Sequence, residues 1–185
     1  MRGFLLTGAV LLTAGAALAA APLTGMKGVD IGMSEAAAKA AIAKLGKLDN
    51  EGDRVGAEAI LRTWITADGG PAQFYADIHD GKVINLSLTR RYDKQEPDGC
   101  KARFDAKLKE LEAQYGAFTQ SGRPDVSPDL WVTSTRWKAT LARDGRAVDL
   151  VAAHAEGTSG LKWCLVSVEL GDVAWKQQRR VEARF

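Results

Sequence analysis

The chain has 185 residues, 46% hydrophobic and 26% charged. That balance is near the soluble average and excludes both a disordered chain and a bundle of membrane helices. With 25 basic against 23 acidic residues, no cationic excess is available for a phosphate backbone, and nucleic acid is not expected as a partner.

Met1 and Arg2 give a short positive end, and Phe4 to Leu18 form an uncharged apolar run. At roughly 15 residues this run is shorter than the ~20 a permanent membrane helix needs, and it has the plan of an export signal. Ala17-Leu18-Ala19 supplies small residues at the two positions a signal peptidase reads, so cleavage is expected after Ala19. No cysteine lies nearby to be acylated. The mature chain, residues 20–185, is expected to be periplasmic or secreted, without a permanent membrane anchor, and long enough for one α+β domain without a cofactor as a staple.

The mature sequence reads as two passes through a helix followed by three strands, at about 28–95 and 96–172, with a charged tail. Ser34 caps a first helix with Glu35 in its opening turn, Ala38, Ala41, Ile42 and Leu45 make the apolar stripe, and Gly46 ends it. Residues 47–57 read as a connection. Strands are predicted at about 58–66, 72–79 and 82–90, the last two joined by the hairpin dipeptide Asp80-Gly81. Phe74, Ala76 and Ile78 then oppose Ile84, Leu86 and Leu88, with Asp77, His79, Asn85 and Ser87 on the other face.

The second helix is expected from Cys100 to Tyr115, capped by Asp98 and stopped by Gly116. Residues 117–129 read as the longest loop. Strands follow at about 130–141, 147–154 and 162–170, with Asp144-Gly145 turning the first into the second. The expected fold is tandem helix-plus-antiparallel-strand repeats, with the helices on one face of a sheet. Beyond Asp172, a short strand, a helical turn and a frayed tail all fit the sequence.

Cys100 and Cys164 are the only cysteines. In an oxidising compartment an isolated pair reads as a disulfide. Cys100 heads the stripe Phe104, Leu108, Leu111, Tyr115, and Cys164 shares the apolar face of a strand with Val166, Val168 and Leu170, so both point inward. A redox role would be expected to bring a Cys-x-x-Cys motif or a neighbouring histidine, and the sequence has neither.

Ile31-Gly32-Met33-Ser34-Glu35, followed by an alanine-rich helix and Leu45-Gly46, resembles the opening of the fold shared by β-lactamase inhibitory protein and the small lipoprotein of the outer-membrane barrel-assembly machine. The second helix, ending Tyr115-Gly116, is similar to the tandem form of that fold. The resemblance implies helices packed on an antiparallel sheet in an exported protein that acts by binding another protein. This chain departs from the lipoprotein in lacking its anchoring cysteine, and from the inhibitor in having a single cysteine pair. Neither activity is therefore carried over, and no binding residue is mapped.

Trp131, Trp137 and Trp163 share alternating strand positions with Thr133 and Thr135 or with Leu165, and a sheet face bearing them would make a protein-binding surface. Core filling is the competing role for each. Arg90, Arg91 and Lys94 with Tyr92 form a second surface candidate, for an anionic partner. A metal-dependent enzyme or hydrolase is the alternative, and it needs His79 and His154, the only histidines, to meet beside a carboxylate. No catalytic, phosphate-binding or calcium motif is present. The functional expectation is a non-enzymatic interaction module, without cofactor or metal, whose partner is another envelope or extracellular protein.

Overall fold

A computed structural model describes residues 20–55, 58–121, 125–128 and 132–182. The export signal and its cut lie outside the described residues. Gly25–Met26 (β1) and Val29–Asp30 (β2) form a small hairpin. Its turn is Lys27-Gly28, both at positive φ, the geometry that matches the twist of paired strands. The first helix, Glu35–Ala43 (α1), opens where expected: the Ser34 hydroxyl accepts from the amide of Ala37. The residues before it are stitched to a neighbouring hairpin, with Gly32 donating to the carbonyl of Val83, Glu35 to that of Gly81, and Val83 back to Met33. Ser34→Ala should cost about 1 kcal/mol, the usual worth of an N-cap, read as a lowered urea midpoint with unchanged slope.

Gly46 has a second reason to be glycine besides ending α1. A Cβ there would lie 2.5 Å from the carbonyl oxygen of Trp64, so the chain leaving the helix could not approach the sheet.

Leu48–Val55 (β3), expected as a connection, is an edge strand pairing with Glu58–Ala67 (β4), with two register shifts. Its run of mixed charge has no alternation, and it is held by backbone pairing to one neighbour. Gly70–His79 (β5) and Lys82–Asp93 (β6) complete the first meander. Both linking turns, Asp68-Gly69 and Asp80-Gly81, are positive-φ pairs. Phe74 opposes Leu88 and Ala76 opposes Leu86, but a bulge then pairs Ile78 with Val83. Ile84 is the extra residue, so Val83 takes the core place expected for Ile84.

Pro97–Tyr115 (α2) starts one turn earlier than expected, with Glu96 rather than Asp98 at the cap and Pro97 in the first turn, where its missing N–H costs nothing. The long loop is not wholly irregular: Thr119–Gln120 (β7) and Asp125–Pro128 (β8) both pair with Val132–Arg143 (β9). Arg146–Gly157 (β10) and Lys162–Asp172 (β11) follow. The charged tail is a helix, Val173–Glu182 (α3), with the Asp172 carboxylate accepting from the amides of Ala174 and Trp175.

The nine strands β3–β11 make one antiparallel sheet, ordered β3-β4-β5-β6-β11-β10-β9-β7 with β8 also on β9. The two meanders join through their last strands, where Leu88 faces Val168 and Leu86 faces Leu170. Side chains directly paired across strands share a face, so one register row runs Phe74, Leu88, Val168, Leu150, Ala139. Ala38 and Ile42 of α1 pack with Leu61, Phe74, Ala76 and Leu86. Cys100, Phe104, Leu108 and Leu111 of α2 pack with Val148, Leu150, Val168 and Leu170. Met26 and Ile31 touch both clusters. Thr63 is buried in the first cluster's layer, its hydroxyl satisfied by the carbonyl of Lys47.

Cys100 and Cys164 form a disulfide, with Cα atoms 5.5 Å apart and both residues fully buried. The bridge ties the first turn of α2 to β11, as the two inward-facing patterns predicted.

Candidate surface site

The face of the sheet opposite the Phe74–Leu88–Val168 row is read from the alternate residues of each strand. On β4 these are Ile60, Arg62 and Trp64, because Ala59, Leu61 and Thr63 are buried on the other side. On β5 they are Gln73, Tyr75 and Asp77, which pair with Trp64, Arg62 and Ile60 in turn. Trp64 is 50% exposed and Ile60 39%. The Tyr75 hydroxyl donates to Gln73 Oε1, which fixes the ring beside them. Arg62 is held by Asp49 at 3.5 Å.

Toward the centre the face becomes a strip of hydroxyls. Thr89 Oγ1 lies 2.8 Å from Ser167 Oγ, and Ser87 lies 3.4 Å from both. Beyond the strip, Trp163 is partly buried with the Arg91 guanidinium over its ring at 5.1 Å, and Arg91 is bonded to Asp93 at 2.7 Å.

α3 covers another part of this face. Lys176 is buried and donates to Asp149 Oδ2 at 3.1 Å and to the carbonyl oxygens of Glu169 and Ala147. Burial alone would raise the Asp149 pKa, but Lys176, the Thr140 hydroxyl and Lys138 together outweigh it and hold the carboxyl below its ordinary value.

The predicted surface residues divide between the two faces. Trp163 and Arg91 lie on the face just described. Trp137 does not: it pairs with Ala152 and packs against the cluster beneath α2, because its place in β9 alternates with Arg136 and Lys138 rather than with the core positions. Trp131 lies outside the described residues. Arg90 and Tyr92 also fall on the helix side. Arg90 donates to the carbonyls of Ala67 and Asp68, and Tyr92 is stacked between Arg90 at 4.4 Å and Arg103 at 3.8 Å. The expected basic patch is therefore split by strand alternation.

Trp64 and Ile60 were not picked out from the sequence, though a signal was there. Of the two alternating sets in β4, Ala59, Leu61, Thr63, Ile65 and Ala67 is the more uniformly apolar, which turns Ile60, Arg62 and Trp64 outward.

The two histidines do not meet. His79 ends β5 opposite Lys82, and His154 shares a row with Cys164 and Tyr92, so ten positions of β6 separate their rows. At about 3.3 Å per residue that is over 30 Å. His154 is buried, with Nε2 2.9 Å from the carbonyl oxygen of Gln95. His79 is partly buried between Glu58 and Asp80, at 3.8 and 3.5 Å. Among the described residues no group of three or more His, Cys, Asp or Glu side chains is placed to hold a metal ion, and no helix is long and apolar enough to cross a membrane.

No protein-family model, curated protein or solved structure matches the chain.

Proposed function

We propose that the chain is an exported, non-enzymatic protein-interaction module of the cell envelope, periplasmic or secreted, that holds another envelope or extracellular protein on the sheet face around Trp64. The observation carrying this reading is the half-exposed Trp64 with Ile60 beside it and Tyr75 on the next strand. Tryptophan and tyrosine dominate the energetics of protein interfaces because they bury large area at low entropic cost, and a rim of hydroxyls and arginines supplies the polar surround. The disulfide fits an oxidising compartment.

The order of elements supports tandem units in the manner of the inhibitor-like fold. One unit is α1 with β4, β5 and β6, the other α2 with β9, β10 and β11, meeting at their third strands. The opening motif Gly32-Met33-Ser34 caps α1 and zips it to the first unit's hairpin, a structural reason for its composition.

Trp64→Ala should leave the melting temperature near its native value, since the side chain is half exposed, and should weaken capture of the partner about thirtyfold or more, the effect of losing a hot spot of ~2 kcal/mol. Quantitative pull-down from the native envelope with wild type and variant measures this, and equal recovery of every captured protein would sink the assignment.

A further inference from the structure

On the helix side, a cavity of about 280 Å³ lies between α2, the β4–β5 turn and the β1–β2 hairpin. Its floor is aliphatic: Leu88, Val148, Val168 and Leu170, with Leu111 on the wall. Met26 of the hairpin adds an unbranched thioether, able to follow the shape of what lies beside it. The hairpin is anchored just before its first strand, where Leu23 is buried and its carbonyl accepts from Arg146 at 2.8 Å. A water in such a space needs two to four polar partners, and the floor side chains supply none. An aliphatic cavity of about 150 Å³ takes a six-carbon ring, so this one has room for about ten to twelve non-hydrogen atoms.

The charged groups of the lining cancel. Lys27 and Lys107 stand against Asp68 and Glu110. The Lys107 ammonium meets three carboxylate oxygens, two of Asp68 at 2.9 and 3.1 Å and one of Glu110 at 2.7 Å, which matches its three donors. A charged ligand therefore finds no spare counter-charge at this cluster, and seating its charge beside the aliphatic floor would cost its hydration. An uncharged ligand escapes that cost. Tyr115 and Gln114 are the neutral hydrogen-bonding side chains of the same lining. Burial raises the Tyr115 pKa, so the phenol keeps its proton at neutral pH and can donate it to an oxygen.

We propose that this cavity binds an uncharged aliphatic molecule bearing one hydroxyl or carbonyl oxygen, its hydrocarbon on the Leu88–Val168–Leu170 floor and its oxygen at the Tyr115 hydroxyl. The cavity lies on the sheet face opposite Trp64, so this site stands or falls separately from the protein-binding surface.

1-Nonanol, kept below its solubility limit, is the probe for calorimetric titration of the full mature chain. The expected result is saturable binding of one nonanol per chain. 1-Heptanol should bind about fifteenfold more weakly, the loss for two unburied methylenes. Nonanoate and nonylamine should each bind at least tenfold more weakly than nonanol. Leu88→Trp, which fills the floor, should abolish binding. Tyr115→Phe should weaken nonanol about fivefold, the loss of one hydrogen bond, and leave cyclohexane, which has no oxygen, unchanged. That comparison stands even if Leu88→Trp does not fold. Absence of saturable nonanol binding, either ion binding as well as nonanol, full affinity in a folded Leu88→Trp variant, or unchanged nonanol affinity in Tyr115→Phe would each overturn the proposal.

Discussion

Reducing the Cys100–Cys164 bond, or replacing both cysteines by alanine, is expected to lower the unfolding free energy by about 4 kcal/mol. The bridge closes a loop of 64 positions, and in the chain-entropy model a loop of that length restricts the unfolded chain by about this amount. Stability of a single domain is about 5–15 kcal/mol in total, so the loss is a large share of it. The site of the bridge adds a local consequence. It holds the first turn of α2 on β11 in the row that also carries His154 and Tyr92, and the carbonyl of Gln95, just before the helix, is bound by His154. Urea unfolding with and without reductant measures the effect. An unchanged midpoint after confirmed reduction would show that the helix is held by apolar packing alone.

Asp149→Asn should destabilise the protein by about 3–5 kcal/mol, the cost of stripping a buried charge of its partner. Lys176 is the group left without its opposite charge: it is buried, and neutral oxygens, the carbonyls of Ala147 and Glu169 and the new amide at position 149, are what remain around it. Lys176→Met should cost less, because Asp149 keeps Lys138 and the Thr140 hydroxyl. The double variant Asp149→Leu, Lys176→Met should be more stable than Asp149→Asn, since an apolar pair has no charge to desolvate. The pH dependence follows from the lowered pKa of Asp149. The unfolded chain binds a proton at the ordinary carboxylate pKa and the folded one only at lower pH. The contribution is therefore complete at neutral pH, begins to fall once pH drops below the ordinary value, and is lost as pH passes down through the folded value. Unfolding measured from neutral pH into acid should show Asp149→Asn losing less stability than wild type over that window.

Alternation and turn chemistry made much of this architecture legible. Asp80-Gly81 and Asp144-Gly145 named their hairpins because few residues other than glycine and aspartate accept positive φ there. The facing of Cys100 and Cys164 followed from a helical and a strand period read separately. Other features were hidden for physical reasons. β3 and β8 are edge strands held by backbone pairing to one neighbour, and their sequences carry no period. The bulge that exchanges Ile84 for Val83 is invisible because both residues are equally apolar. α3 is anchored in part by contacts remote in sequence, among them Lys176 to Asp149, residues 27 positions apart. The tryptophans were the hardest to place. Trp137 and Trp163 sit in similar strands, and only the register of each strand against its neighbours puts one under α2 and the other on the opposite face.

The proposed docking of a partner protein on the sheet face around Trp64 is open to site-specific photocrosslinking in the native cell. A photoreactive phenylalanine would replace Ile60 on that face in one strain, and Lys39 of α1 or Lys101 of α2 on the helix side in others. A discrete adduct with one envelope or extracellular protein is expected from position 60 and none from positions 39 and 101. Adducts from the helix-side positions alone, or none from position 60, would contradict it.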